Sequence, residues 1–195
     1  MNRSGSLGKV LIAVIIVAAL AVGAYFGKDK LLGGQDITDE SKWTTISQPQ
    51  FSIKVPSAMK EGKMLTVIGS DVEQLCFYTS EQAGFDVNYY AYTAEEKASL
   101  GGLSAKEYEA AMKMTTRKIN GQTLTYKARD GKNYVFTEYN RHSPNYIGKS
   151  DEVWYIEATY PTADGYYQVD TYCAQTDKDA LREYMMKWLD SFTVK

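Results

Sequence analysis

The chain has 195 residues, with 22 lysine or arginine and 24 aspartate or glutamate side chains, so its formal net charge at pH 7 is −2. Apart from one apolar segment near the N-terminus, about 165 residues remain, which suffices for one domain with a full core and is short for two. This remaining part is acidic overall, which argues against nucleic acid and anionic lipid as its main partners.

The N-terminal segment has the dimensions of a membrane span. No charged residue lies between Val10 and Phe26. A helix over residues 10–27 is about 27 Å long, close to the roughly 30 Å hydrocarbon core of a bilayer. The lysine on either side can extend its ammonium group toward the headgroups. We therefore predict a membrane anchor over residues 1–27.

Two alternatives to this anchor stay open. A cleaved secretory signal fits the positive charges of Arg3 and Lys9 and the Ala-Leu-Ala sequence at residues 19–21. A buried helix of a soluble protein is the second alternative. With an anchor, we expect the N-terminus in the cytoplasm and the C-terminal domain outside it. With a cleaved signal, the domain is expected to be secreted.

The chain after the anchor begins with a polar segment. Residues 28–42 contain glycine and few apolar side chains, and we interpret them as a stalk. A single domain is then expected over residues 43–195. A strand is predicted at FSIKVP, where Phe51, Ile53 and Val55 alternate with polar residues and Pro56 ends the strand.

The second half of the chain carries regularly spaced turn signals, at Asn120-Gly121, Asp130-Gly131 and Asp164-Gly165. Strand-like segments lie around these turns, with the sequences QTLTYKA, KNYVFTEYN, EVWYIEATY and YYQVDTYCA. Asn-Gly and Asp-Gly pairs between such segments are typical of tight hairpins. The pattern predicts an antiparallel meander.

Two helices are predicted in the domain. Ser104 and Glu107 have the spacing of a capping box at the start of LSAKEYEAAMKM. Near the C-terminus, apolar residues recur at helical spacing and predict an amphipathic helix; they are Leu181, Tyr184, Met185, Trp188 and Leu189.

Tyrosine is unusually frequent, with 16 residues against six phenylalanines. Alternation along two predicted strands places Tyr90, Tyr92, Tyr166 and Tyr172 opposite the apolar residues of the same strands. Tyrosine rings on a second face can stack on sugars or form a protein interface, so these four are our candidate ligand-binding residues. The alternative is that helices cover both faces of the sheet, which would make the rings part of the core.

The sequence offers little for catalysis. His142 is the only histidine, which removes sites that need two histidine ligands. Glu138, Glu152 and Glu157 lie on predicted hairpin strands and could form a carboxylate pair, although such residues more often face solvent beside lysine. We predict no catalytic residue, no metal site and no cofactor.

Cys76 and Cys173 are the only cysteines, and each falls inside a predicted strand. They can form a disulfide that closes a loop of roughly 100 residues, or they can remain two buried thiols. Neither has the cysteine or histidine neighbours of a metal or redox site.

The order of the elements, from FSIKVP soon after a tryptophan to a terminal WLDSFTV, resembles the PsbP, Mog1 and DcrB-like group over residues 43–195. The resemblance implies an α+β fold, an α/β/α sandwich with a central, mostly antiparallel sheet. It also implies a binding or accessory module and not an enzyme.

We therefore expect a membrane-anchored, extracytoplasmic, non-catalytic binding or accessory module of the cell envelope, whose partner is an envelope protein or a glycan. Binding of cell-wall polysaccharide through exposed tyrosines is the alternative. An enzyme with an unrecognised carboxylate site is a further one.

Overall fold

The computed structural model describes residues 37–62, 72–142 and 152–195. The predicted anchor over residues 10–27 and most of the predicted stalk lie outside these ranges. Among the helices of the described ranges, none combines the length and apolar character that a membrane crossing requires.

Seven strands of the described chain form one antiparallel sheet, in the order β3-β4-β5-β11-β10-β9-β8. Its strands are β3 (Lys60–Glu61), β4 (Val72–Thr79), β5 (Ala83–Ala91), β8 (Lys127–Ala128), β9 (Val135–His142), β10 (Glu152–Pro161) and β11 (Gly165–Ala174). The five strands β4, β5, β9, β10 and β11 are long, and the edge strands β3 and β8 have two residues each. The mostly antiparallel sheet that the sequence predicts is confirmed.

Smaller strands complete the fold. A second sheet has the order β1-β2-β12, and a two-stranded hairpin is formed by β6 and β7. These strands are β1 (Trp43–Ser47), β2 (Phe51–Pro56), β6 (Lys118–Ile119), β7 (Gln122–Thr123) and β12 (Thr193–Val194). Positive φ angles at Asn120 and Gly121 make the tight turn between β6 and β7, as the sequence predicts.

The helices are α1 (Ala94–Leu100), α2 (Ala105–Lys113) and α3 (Lys178–Ser191), with short 3-10 turns at Glu40–Lys42 and Gln175–Asp177. The predicted capping box of α2 is present, because Glu107 accepts a hydrogen bond from the Ser104 N–H at 2.8 Å. Helix α1 was not predicted from the sequence, although Thr93 and Glu96 form a capping box there as well.

One face of the main sheet packs against α3. Leu181, Met185, Trp188 and Leu189 are buried in a core that also contains Phe85, Val87, Ile156 and Val169. Apolar side chains of β2 join the same core, and α3 therefore packs against both sheets. The predicted apolar stripe of this helix is confirmed.

The opposite face of the main sheet is covered by α2 and by the chain that follows it. Tyr108 of α2, Ile119 of β6, Leu124 and Tyr126 are buried against strands β9, β10 and β11. Helix α2 and this segment therefore cover the face on which strand alternation places the four candidate tyrosines.

Candidate functional site

Three carboxylates form a row across the centre of the main sheet, on the face that α2 covers. Asp86 of β5 lies directly opposite Asp170 of β11, and Asp170 lies directly opposite Glu157 of β10. Each of the three residues is only 1% exposed. Buried carboxylates are costly unless they are paired or protonated, so the partners of each one decide what this row can do.

Glu157 is paired with a buried arginine. Arg117, from the segment between α2 and β6, donates hydrogen bonds from Nη1 to Glu157 Oε1 and to the Tyr126 hydroxyl. The Tyr126 hydroxyl donates to the same Glu157 oxygen at 2.8 Å. Burial alone would lower the pKa of Arg117, but the adjacent Glu157 carboxylate outweighs it and holds the pKa above its usual value. The pair is therefore a neutral unit inside the protein.

Among the described residues, no cation forms a hydrogen-bonded pair of this kind with Asp86 or Asp170. Asn88 Nδ2 donates to Asp86 Oδ1 at 2.6 Å, and Gln168 Nε2 donates to Asp170 Oδ2 at 2.7 Å. Asp86 Oδ2 and Asp170 Oδ1 are buried and accept no hydrogen bond from the described residues. Burial raises the pKa of both groups, to about 7 for Asp86, and the negative charge of Glu157 adds to each shift.

The four candidate tyrosines lie on the same face as these carboxylates. Tyr90 and Tyr172 are buried, whereas Tyr92 and Tyr166 are half-buried. Tyr166 stacks on Tyr90 with ring centroids 4.7 Å apart and also contacts Tyr92 at 5.8 Å. Tyr172 instead packs against Tyr155 at 5.5 Å. The structure thus brings three of the four together and places part of Tyr92 and Tyr166 at the surface.

Cys76 and Cys173 are free, buried thiols. They lie on β4 and β11, and β5 separates these strands, so the chains carrying them are about 9–10 Å apart at the usual strand spacing. A disulfide requires Cα atoms within about 7 Å. Of the two arrangements that the sequence left open, the structure has the free thiols. Burial raises the pKa of both, to about 12 for Cys173.

The described surface has a cleft of about 260 Å³ where α3 ends and β12 begins. Its lining includes the apolar or aromatic residues Tyr134, Tyr160, Phe192 and Val194, and also Lys132. The Tyr160 ring contacts those of Tyr134 and Phe192 at centroid distances of 4.7 and 4.5 Å. Val194 is 39% exposed, which is unusual for a large apolar residue in this domain.

Hydrogen bonds hold the cleft in shape. Tyr160 donates to the Leu189 carbonyl at 2.7 Å, and Tyr134 donates to Asp190 Oδ1 at 2.7 Å. Arg129 donates to both carboxylate oxygens of Asp190, at 3.0 and 2.6 Å. Burial alone would raise the pKa of Asp190, but the hydrogen bonds from Arg129 and Tyr134 lower it overall.

The acidic residues that the sequence singled out do not form one site. Glu138 makes an ion pair with Arg182 at 2.6 Å, Glu152 is exposed at the start of β10, and Glu157 belongs to the buried row. His142 is exposed at the end of β9. Within the ranges that the structure covers, no three acidic, histidine or cysteine side chains come close enough to hold a metal ion.

Sequence reasoning missed Asp86, Asp170 and Arg117 as members of a site. A signal existed for the two aspartates, because strand alternation puts them on the same face as Tyr90 and Tyr166. Arg117 lies in a segment without periodicity, and the residues around it gave no such signal.

Comparisons with known proteins bear on the fold. Neither a scan against models of protein families nor a search of curated proteins finds a match. The solution structure of cyanobacterial PsbP (CyanoP) from Synechocystis sp. PCC 6803 matches with a TM-score of 0.50 and 14% sequence identity, over 84% of this chain and 99% of CyanoP.

A crystal structure from Bacteroides thetaiotaomicron is also similar, with a TM-score of 0.44 and 11% identity, over 79% of this chain and 49% of that one. The resemblance that the order of elements indicated is supported by the match to CyanoP. The chain has a PsbP-like, α+β fold.

Proposed function

We propose that this chain is a non-catalytic binding or accessory module of the cell envelope, anchored in a membrane by residues 10–27, with the domain over residues 43–195 outside the cytoplasm. The PsbP-like fold, which the chain shares with CyanoP, supports an accessory role by analogy. The apolar N-terminal segment supports the anchor.

The placement of the reactive groups carries the non-catalytic part of the proposal. Asp86 and Asp170, whose pKa values are raised, are buried on the covered face of the main sheet, where a substrate does not reach them. The thiols of Cys76 and Cys173 are buried and have raised pKa values, so thiolate, the nucleophilic form, is scarce at neutral pH. An active site needs such groups within reach of its substrate.

The cleft beside β12 is where we place the binding surface. Its volume of about 260 Å³ lies below the roughly 300–1,000 Å³ of pockets that take small molecules. An apolar side chain of a partner protein fits this size, and the aromatic lining resembles the pockets that receive such anchors at protein interfaces. Exposed Val194 at the same place would be covered by the partner.

Photo-crosslinking of the full chain in intact cells tests the binding surface. A photoreactive amino acid replaces Val194 at the cleft, and in a control chain it replaces Met114, which is 89% exposed at the end of α2. We expect one defined protein to crosslink from the cleft position alone, through an apolar residue of that protein. Equal labelling from both positions, or none from Val194, contradicts the proposal.

Protease added outside intact cells or spheroplasts tests the location. We expect the domain to be digested, while full protection in intact cells followed by digestion after lysis would contradict an extracytoplasmic domain. A glycan partner, the alternative, would have to use Tyr92 and Tyr166, which are the half-exposed members of the tyrosine set. Retention of the chain on cell-wall polysaccharide, lost in Tyr166→Ala, would favour that partner over a protein.

A further inference from the structure

We propose that Asp86 and Asp170 form a proton-sharing pair, in which one carboxyl group donates a hydrogen bond to the other across β5 and β11. Loss of that proton at higher pH leaves two negative charges inside the sheet. The pair therefore makes the stability of the domain depend on pH around neutrality. This inference is independent of the partner and of the membrane anchor.

The register of the two strands brings the carboxyl groups together. Asp86 and Asp170 are directly opposite in an antiparallel pair, where Cβ atoms are about 4.5–5.5 Å apart and point to the same face. Asn88 and Gln168 are opposite each other in the same register, and each of these amides holds the aspartate on its own strand. The two oxygens left over, Asp86 Oδ2 and Asp170 Oδ1, are those without a partner among the described residues.

No described cation is hydrogen-bonded to the pair, although the charge of Arg117 acts on Asp170 and lowers its pKa, against the larger effects of burial and of the neighbouring carboxylates. Arg117, the buried cation of this face, is bound to Glu157 and Tyr126. The other titratable groups on this face are a carboxyl group and phenol groups; they are Glu157 and Tyr155 of β10, Tyr139 of β9, Tyr90 of β5, Tyr166 and Tyr172 of β11 and Tyr108 of α2. The thiol of Cys76 on β4 also interacts electrostatically with Asp86. A proton is the simplest neutralising ligand for two adjacent carboxylates.

The pKa values agree with the geometry. Burial and the neighbouring negative charges raise the pKa of Asp86 to about 7 and that of Asp170 well above its usual range. An aspartate in the unfolded chain has a pKa of about 3.9. The folded protein thus holds protons above pH 5 that the unfolded chain has released. Stability from this pair is fully present below the unfolded pKa and is lost as pH rises through the folded pKa.

The expected effect is large enough to measure. For Asp86 alone, a shift from about 3.9 to about 7 raises the unfolding equilibrium constant on the order of 100-fold between pH 5 and pH 8. The test is denaturant unfolding of the full chain across this range, in the presence of a chelator so that no metal ion substitutes for the proton. Buried Trp154 and Trp188 serve as fluorescent reporters.

Asp170→Asn is the informative variant, because an asparagine amide can donate to Asp86 Oδ2 at every pH. Only one of the two carboxyl groups with raised pKa values remains in this variant, and the added hydrogen bond favours its ionised form. We therefore expect the unfolding constant to change less between pH 5 and pH 8 than that of the wild type. Glu138→Gln is the matched control, since it removes a carboxylate from the Arg182 ion pair on the other face and should keep the wild-type slope. A flat wild-type profile, or an equal slope in Asp170→Asn, overturns the proposal.

A spectroscopic measurement on the wild-type chain keeps the test valid even if the variant does not fold. A protonated carboxyl group has an infrared C=O stretching band that a carboxylate lacks. We expect this band in the folded protein at pH 6 and its disappearance on unfolding at the same pH. Its absence from the folded protein at pH 6 overturns the proposal.

Discussion

Removing Arg117 from its buried ion pair with Glu157 should destabilise the domain. Arg117→Met keeps much of the side-chain volume and removes the charge, which leaves Glu157 with hydrogen bonds from Tyr126 at 2.8 Å and Tyr139 at 3.5 Å. Breaking a buried pair from one side costs about 3–5 kcal/mol of unfolding free energy, because the remaining charge stays desolvated. Domains of this size are stable by about 5–15 kcal/mol, so roughly a fifth or more of the free energy of unfolding would be lost.

A second substitution separates the charge from the packing. In Arg117→Met combined with Glu157→Gln, no ionised group is stranded, and the glutamine oxygen still accepts from Tyr126. We expect the double variant to cost about 1–2 kcal/mol, the range for an imperfectly satisfied buried hydrogen bond, and so to be more stable than Arg117→Met alone.

Urea unfolding of the full chain at pH 7, followed by tryptophan fluorescence, measures these free energies. The control is Arg182→Met, which breaks the ion pair with Glu138 at the surface and should cost less than about 1 kcal/mol. A cost below about 1 kcal/mol for Arg117→Met, or a double variant as unstable as that single one, would refute the reasoning.

Three further predictions follow from burial and pairing. Cys76 and Cys173 should not react with a thiol reagent at pH 8 in the folded protein, and both should react in denaturant, because both thiols are buried. Met185→Ala in α3 should cost about 2–5 kcal/mol of unfolding free energy, measured by denaturant, since Met185 is fully buried. Asp190 has a lowered pKa, so its contribution to stability is present above the unfolded pKa of about 3.9 and is lost as pH falls through the folded pKa. Asp190→Asn should therefore be less stable than the wild type at pH 6 and should show a smaller loss below pH 4 in an acid titration.

Each of these has a contradicting result. Rapid labelling of either thiol in the native state would show that its strand opens or is misplaced. A Met185→Ala chain with unchanged stability would argue that α3 is not packed as described. If the wild type and Asp190→Asn lose the same amount of stability below pH 4, the hydrogen bonds from Arg129 to Asp190 contribute nothing to stability in solution.

Local patterns in the sequence predicted the elements whose causes are local. The apolar spacing of α3, the capping box at Ser104 and the hairpin turn at Asn120-Gly121 are all present in the structure. The seven-residue helix α1 was missed because it buries no residue and so has no apolar stripe, although its capping box was visible in the sequence. Local signals therefore determined most of the second half of the domain.

The buried carboxylates could not be found in this way. Alternation gives Asp86 and Asp170 the same face as the tyrosines, but it does not say that α2 and the segment carrying Arg117 cover that face. The pairing of β5 with β11 joins residues about 80 positions apart, and nothing in either strand specifies the other as its neighbour. Long-range pairing of this kind depends on how the whole chain packs, and the periodicity of a single strand carries no information about that packing.

The central position of β5 and β11 also determines when the domain can form. Strands β4 and β5 come from the first half of the domain and β9 to β11 from the second, so the main sheet is joined only when β11 docks on β5. Helix α3, which covers one face, follows β11 directly. A ribosome that still holds the last third of the chain thus holds a protein that cannot complete its core. Pairings between distant parts of a chain are slow to form, so the main sheet is completed only after β11 has been released.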